Sequence, residues 1–118
     1  MDPTPAVSRD PQLLKGVLPM LVLALLAEEE SYGYQLVTRL SAGGLHGIAT
    51  GTVYPVLTRL EREGRLTSRL IASAEGPARK YYRPTVEGLA QLSEARRAWA
   101  ALADVVARIM PVSEEELR

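Results

Sequence analysis

TGTVYPVLTRLEREGRL, residues 50–66, has the residue pattern of a helix, and the other elements are predicted before and after it. Four aliphatic residues recur at the i, i+3, i+4 and i+7 spacing of a helix with one buried face: Val53, Val56, Leu57 and Leu60. Gly64 follows at the position just past a helix end, where glycine is common. Pro55 is tolerable because it falls at the margin of the first turn. We therefore predict a short amphipathic helix that turns Gly51, Pro55 and Thr58 outward.

Two helices are predicted before this stretch. The apolar run GVLPMLVLALLA (residues 16–27) is shorter than the roughly 20 residues that span a bilayer, so we read it as a buried core helix from Leu13 or Val17 to Glu29. Ser31 is expected to be the N-cap of a second helix, from about Tyr32 to Ser41.

A hairpin and a long helix are predicted after it. RLTSRLIAS (residues 65–73) and RKYYRPT (residues 79–85) read as two strands around a glycine-proline turn. Thr85 is expected to cap a last helix that runs to about Met110. The predicted fold is mainly α with a small β-hairpin, a winged helix-turn-helix followed by a long C-terminal dimerisation helix.

The 118 residues divide into four predicted parts. Residues 1–12 form a flexible N-terminal arm, residues 13–85 the winged helix-turn-helix DNA-binding domain, residues 86–110 the dimerisation helix, and residues 111–118 an acidic tail. The chain has no cysteine and one histidine, so we expect no metal site, no cofactor and no enzyme activity. Because nothing resembles a secretory signal, we expect a cytoplasmic protein with no membrane partner.

The net charge of zero conceals an uneven distribution. Residues 50–84 hold seven basic and three acidic side chains, a net charge of +4. A basic segment of this kind is typical of a surface that meets a polyanion, even in a neutral protein.

The last helix carries a heptad pattern. Apolar residues recur with spacings of 3, 4, 3, 4 and 3: Leu92, Ala95, Trp99, Leu102, Val106 and Ile109. Such a seam pairs helices across an interface, so we predict a homodimer. The alternative is that the seam packs onto the first helix of its own chain.

Three motifs in order resemble the PadR-like transcriptional regulators: YGYQL (residues 32–36), TGTVYPVLTRLEREGRL (residues 50–66) and GPARKYYRPTVEGLAQL (residues 76–92). The single helix after the hairpin resembles the shorter branch of that family. The resemblance implies a homodimeric repressor that binds double-stranded operator DNA. It also implies a small aromatic effector bound between the subunits.

The predicted DNA contacts lie on the second and third helices and on the hairpin. They are Tyr34, Gln35, Thr50, Gly51, Thr52, Tyr54, Arg59, Arg79, Lys80 and Tyr82. We expect the small polar start of the third helix to enter the major groove, with Arg79 and Lys80 at the hairpin tip reaching phosphates. For Thr50 a capping role, and for Tyr54 a core-covering role, remain open as alternatives.

The predicted effector pocket is built around the only tryptophan. Its candidate residues are Val17, Leu18, Leu92, Arg96, Trp99 and Ala103.

Because fold alone does not settle function, a winged-helix module that binds protein rather than DNA stays as the alternative. The charge on the third helix and the hairpin favours DNA.

Overall fold

The structure of the protein is a computed structural model that describes residues 10–117. Residues 1–9, most of the predicted arm, and residue 118 of the predicted tail lie outside the described residues. The elements in chain order are α1 (Pro11–Glu28), α2 (Gly33–Ala42), α3 (Thr50–Arg62), β1 (Leu66–Ser73), β2 (Gly76–Pro84), α4 (Val86–Ile109) and α5 (Glu114–Leu117). The predicted fold class, a winged helix-turn-helix with a long last helix, is confirmed.

Helix α1 begins at Pro11, with the Asp10 carboxylate accepting a hydrogen bond from the Gln12 amide. The helix therefore takes in the last two residues assigned to the arm. It is long and apolar enough to qualify as a membrane span. Its buried residues nevertheless belong to the core that α2, α3, β1 and α4 share: Leu14, Leu18, Val22, Leu23 and Leu26. We therefore read α1 as the central core helix.

The start of α2 differs from the prediction. Tyr32, not Ser31, is the N-cap, and it makes no side-chain capping bond. Ser31 is instead buried and pairs with Tyr82 as an isolated antiparallel bridge, with backbone N–H···O distances of 2.9 and 3.4 Å. With its backbone paired to Tyr82, Ser31 uses its hydroxyl to accept a hydrogen bond from Arg39 of α2 at 2.8 Å.

The Arg39 guanidinium fastens α2 to the end of α1. It donates to the backbone oxygens of Leu25 at 2.8 Å and Glu29 at 2.9 Å, besides the Ser31 hydroxyl. The last carbonyls of a helix have no partner within the helix. Arg39 therefore adds side-chain donors to the carbonyls at the end of α1, where Leu25 also accepts from the Glu29 amide at 3.2 Å.

The hairpin of β1 and β2, called the wing below, turns earlier than predicted. Its turn is Ala74-Glu75, and Gly76 and Pro77 are already the first residues of β2. Arg79 and Lys80 therefore lie within β2, opposite Ile71 and Leu70, and not at the tip. A register shift between Ile71 and Ser73 accommodates the early turn.

Helix α4 starts in close contact with the end of α3. The Thr85 hydroxyl accepts from the Gly88 amide at 3.0 Å, as the predicted cap requires, and donates to the Gly64 carbonyl at 2.7 Å. A Cβ at Gly88 would overlap the carbonyl oxygen of Arg65. Gly64 has φ +77°, which confirms it as the glycine that ends α3.

The heptad seam divides along α4. Leu92 is only 4% exposed and belongs to the core of its own chain, so little of its surface is left for the predicted dimer interface. Beyond it the seam opens to solvent: Trp99 is 50% exposed and Ile109 78%. The start of the seam thus covers α1, and from Trp99 onward the other described residues leave half or more of Trp99, Leu102 and Ile109 exposed.

Candidate DNA interface and Trp99 groove

Helix α3 presents two opposite faces. Val53, Leu57 and Leu60 are completely buried, which fixes the helix against α1, α2 and β1. Five other residues of α3, four of them in its first half, are exposed: Gly51, Thr52, Tyr54, Pro55 and Thr58. Ala49 is the N-cap without a side-chain bond, so the alternative of a capping Thr50 is wrong. The first half of α3 thus has an exposed side that another molecule can approach.

Tyr54 joins α3 to α2 through Gly33. A Cβ on Gly33 would lie 2.6 Å from the Tyr54 hydroxyl oxygen and 2.7 Å from its Cε1. Only glycine leaves room for the ring at this point. Tyr54 is still 45% exposed, so it covers α2 and faces solvent as well, and the two roles left open for it are compatible.

The start of α2 places one predicted contact outward and turns the other inward. Tyr34 is exposed, and its carbonyl accepts a hydrogen bond from the Thr38 hydroxyl. The Gln35 side-chain oxygen is buried and has no hydrogen-bond partner among the described residues. That oxygen is therefore not placed to meet DNA, which corrects the prediction for Gln35 in part.

The inner face of the wing is held by α3. Lys80 donates to Glu61 at 3.0 Å, and Ser68 makes a short hydrogen bond to the same carboxylate. These bonds lower the pKa of Glu61, and the carboxylate in turn raises the pKa of Lys80. Tyr82 lies on this face at 4% exposure, and burial raises its pKa. Tyr82 is thus a core residue, and this burial does not favour the DNA contact predicted for it.

The outer face of the wing carries an aromatic and cationic cluster. The Arg79 guanidinium lies 4.5 Å from the centre of the Tyr32 ring, and Tyr32 meets Tyr81 edge to face at 5.2 Å. Arg69 pairs with Glu30 on the same side, which lowers the pKa of that carboxyl. Tyr32 was not among the predicted contacts, although the alternation of side chains in RKYYR places Arg79 and Tyr81 on one face.

Ion pairs reduce the free positive charge of residues 50–84. Glu63 lies 3.9 Å from Arg59 and 3.7 Å from Arg65, while Arg69 and Lys80 have the partners described above. Within residues 10–117, the basic residues of this segment that make no ion pair are Arg62, Arg79 and Arg83. These cations are the ones most readily available to a phosphate.

A separate groove of about 380 Å³, called the Trp99 groove, opens between α1 and α4. Its lining residues are mostly apolar: Val17, Met20, Leu21, Ala24, Leu92, Arg96 and Trp99. The structure thus brings together four of the six predicted effector residues. Leu18 is buried in the core, and Ala103 does not line this groove.

The described residues offer no alternative metal chemistry. Within residues 10–117, no group of three or more histidine and carboxylate side chains could hold a metal ion. His46 is exposed and bonds the Ser41 hydroxyl at 3.0 Å.

Comparison with known proteins identifies the family of the chain. The profile of the Transcriptional regulator PadR-like family matches residues 22–94, from the middle of α1 to the first turns of α4. The chain belongs to the PadR-like family. That family is a non-enzymatic class of DNA-binding transcriptional regulators, so the exposed first half of α3 lies on a regulator and not on an enzyme.

Relatives of this family cover most of the chain. A transcriptional regulator of Mycobacterium tuberculosis is 42% identical over 89 residues, 75% of this chain and 81% of its own length. A PadR-like transcriptional regulator of Bacillus cereus is 38% identical with TM-score 0.76, over 86% of this chain and 99% of its own. A PadR family regulator of Eggerthella lenta is 40% identical with TM-score 0.77, over 87% and 89%. The likeness therefore includes the wing and much of α4.

Proposed function

We propose that the protein is a cytoplasmic, homodimeric repressor that reads a specific operator with the first half of α3 in the major groove. The observation that carries this proposal is the division of α3. Three completely buried residues hold the helix rigidly, while Thr52 and Tyr54 at its start remain exposed. A helix-turn-helix reads base edges with the N-terminal residues of such a helix.

Phosphate contacts would flank this reading helix on two sides. Tyr34 is exposed at the start of α2, and Arg79 is held over Tyr32 on the wing. Arg62 and Arg83, neither in an ion pair, extend the set beyond the residues chosen from the sequence. Phosphate contacts fix register and orientation, and base contacts give specificity.

Fluorescence anisotropy with DNA from upstream of the gene and its neighbours tests the assignment. Thr52→Val removes a hydroxyl at nearly constant shape, and we expect about tenfold weaker binding with relaxed preference at one base pair. Arg79→Gln should weaken all sequences alike and lower the salt slope by about one. Arg97→Gln on α4 is the matched control and should change neither. Equal losses on all sequences for Thr52→Val would exclude base reading there.

The dimer is proposed from the uncovered seam. Trp99, Leu102 and Ile109 project from α4 without contacts that bury them, and the Trp99 groove continues this apolar surface onto α1. Pairing of two copies through α4 would cover it. Operator half-sites would then be separated by about 10 bp, one helical turn, or a multiple of it.

Light scattering on a sizing column tests the dimer. Leu102 is 55% exposed and Leu70 on the wing is 72% exposed, so neither contributes much to the core of one chain. We expect Leu102→Asp to produce a monomer and Leu70→Asp to remain a dimer. A dimeric Leu102→Asp protein would contradict pairing through α4.

The Trp99 groove would hold a small aromatic effector that releases the repressor. Trp99 offers an indole wall and Arg96 a cation beside the aliphatic floor formed by α1. Titration of Trp99 fluorescence with phenolic acids and planar cationic compounds, with DNA binding measured in parallel, tests this. Quenching together with loss of DNA binding is the expected result, and no response across the panel would point to a constitutive repressor.

A further inference from the structure

A second groove lies along the other side of α1. It has a volume of about 410 Å³ and runs between the first half of α1, the loop before α3 and the flank of α3. We call it the α1–α3 groove. It shares no lining residue with the Trp99 groove, so the two are separate cavities.

The α1–α3 groove combines an apolar floor with two cations. Leu14, Leu18, Ile48 and Val56 contribute the floor. Lys15 of α1 and Arg59 of α3 line it from different elements, and no acidic residue lines it in the described part of the chain. The groove is thus amphipathic, with all its charge of one sign.

Both cations are available to a ligand. Lys15 is exposed and makes no ion pair with any of residues 10–117. Arg59 reaches Glu63 only through Nε at 3.9 Å, with both side chains at least 40% exposed. An ion pair that long and that exposed is weak, so the guanidinium can turn to a better acceptor.

We infer that the α1–α3 groove binds a small amphipathic carboxylate, whose apolar tail lies on the floor and whose carboxylate meets Lys15 and Arg59. The volume falls in the range of small-molecule sites, about 300–1,000 Å³. Arginine matches a carboxylate with paired N–H donors, and lysine adds a point charge. The ligand class follows from this charge complementarity.

The location suggests a regulatory consequence that rests on the proposed function. Thr52 and Arg59 line the groove and are also predicted DNA contacts. A bound carboxylate would neutralise Arg59 and occupy the flank of α3, so it would oppose DNA. This route acts within one subunit and needs no change at the Trp99 groove.

Binding is tested without DNA, so that the result does not depend on the proposed function. Octanoate is the probe and octanamide its uncharged match, titrated into the full-length ¹⁵N-labelled protein and followed by amide shifts. We expect octanoate to move the amides of Ile48, Thr52 and Val56, with octanamide at least about fivefold weaker. The double variant Lys15→Gln/Arg59→Gln should bind octanoate about tenfold more weakly, a loss of about 1.4 kcal/mol, because it removes both charge contacts. Arg62→Gln, on the same helix outside the groove, should bind normally.

Several outcomes would overturn the inference. Equal binding of octanoate to the double variant would show that the two cations do not hold the carboxylate. Shifts confined to Trp99 would assign the ligand to the other groove. Contacts between residues 1–9 and the Val56 methyl groups would show that the chain itself fills the α1–α3 groove. Absence of shifts, with weaker DNA binding by the double variant, would assign the cations to phosphates alone.

Discussion

Replacement of Gly88 by alanine should destabilise the protein strongly, because the start of α4 has no room for a side chain. A Cβ at this position would overlap the Arg65 carbonyl oxygen and lie 3.0 Å from its carbonyl carbon. Both are backbone atoms, so the clash is relieved only if α4 moves away from the end of α3. The three hydrogen bonds at this junction would be strained or lost together.

The size of the effect follows from those bonds. The Thr85 amide donates to the Arg65 carbonyl at 3.1 Å, its hydroxyl donates to Gly64 at 2.7 Å, and it accepts from Gly88 at 3.0 Å. At about 1 kcal/mol each their loss costs about 3 kcal/mol, from which the better helix propensity of alanine subtracts up to about 1 kcal/mol. We therefore expect Gly88→Ala to lower the free energy of unfolding by about 2 kcal/mol.

Urea unfolding followed by circular dichroism at equal protein concentration measures this change. Gly51→Ala is the matched control, since its Cβ would meet no atom within 4 Å, and it should change stability by less than about 0.5 kcal/mol. A Gly88→Ala protein as stable as the parent would refute the close approach of α4 to Arg65. Equal losses in both variants would point to a general effect of alanine instead.

Three further predictions concern α2, the end of α1 and the wing. Gly33→Ala should leave urea stability nearly unchanged, because a Cβ at Gly33 would displace only the end of the Tyr54 side chain. The same displacement should weaken operator binding in the anisotropy assay. A large loss of stability would contradict this. Arg39→Lys should cost about 2 kcal/mol of unfolding free energy, since one ammonium cannot serve the acceptors that the guanidinium fork reaches, whereas Arg62→Lys should cost less than about 0.5 kcal/mol. The pKa of Glu61 is lowered from its ordinary 4.5, so its carboxylate stabilises the fold above that pH and loses the contribution as pH falls through the folded value. The stability difference between the parent and Glu61→Gln, below about 1 kcal/mol, should therefore be constant near neutral pH and shrink below pH 4.5, and a constant difference would exclude a titrating carboxylate.

The sequence predicted those parts of the fold that depend on local pattern. The stripe of α3 predicted its buried face, and Gly64 and Thr85 marked helix ends because their roles depend only on neighbouring backbone groups. The predicted position of the wing turn was wrong. Gly76 and Pro77 favour turns locally, yet the pairing of Ser68 with Tyr82 buries the inner face and places the turn before them.

The candidate site was less predictable because its geometry depends on contacts between distant segments. Glu30 and Arg69 are 39 residues apart, and Glu61 and Lys80 are 19 apart. No local pattern relates such residues. Tyr82 shows the same limit of prediction. The alternation of side chains along β2 required either Tyr81 or Tyr82 to point inward, but it did not determine which one.

Ion pairs with Glu61 and Glu63 hold Lys80 of the wing and Arg59 of α3 in place without removing either cation from the reach of a phosphate. Lys80 and Glu61 are held together with 48% and 31% of their side chains exposed, and Arg59 is more loosely held. Pairs this exposed contribute at most about 1 kcal/mol, so a phosphate can compete with a carboxylate for either cation. Before DNA binds, these ion pairs keep Lys80 close to α3 and reduce the net positive charge of the surface. Recognition of the operator sequence would then depend on the first half of α3. The cations would leave their carboxylates for phosphates only where α3 fits the major groove.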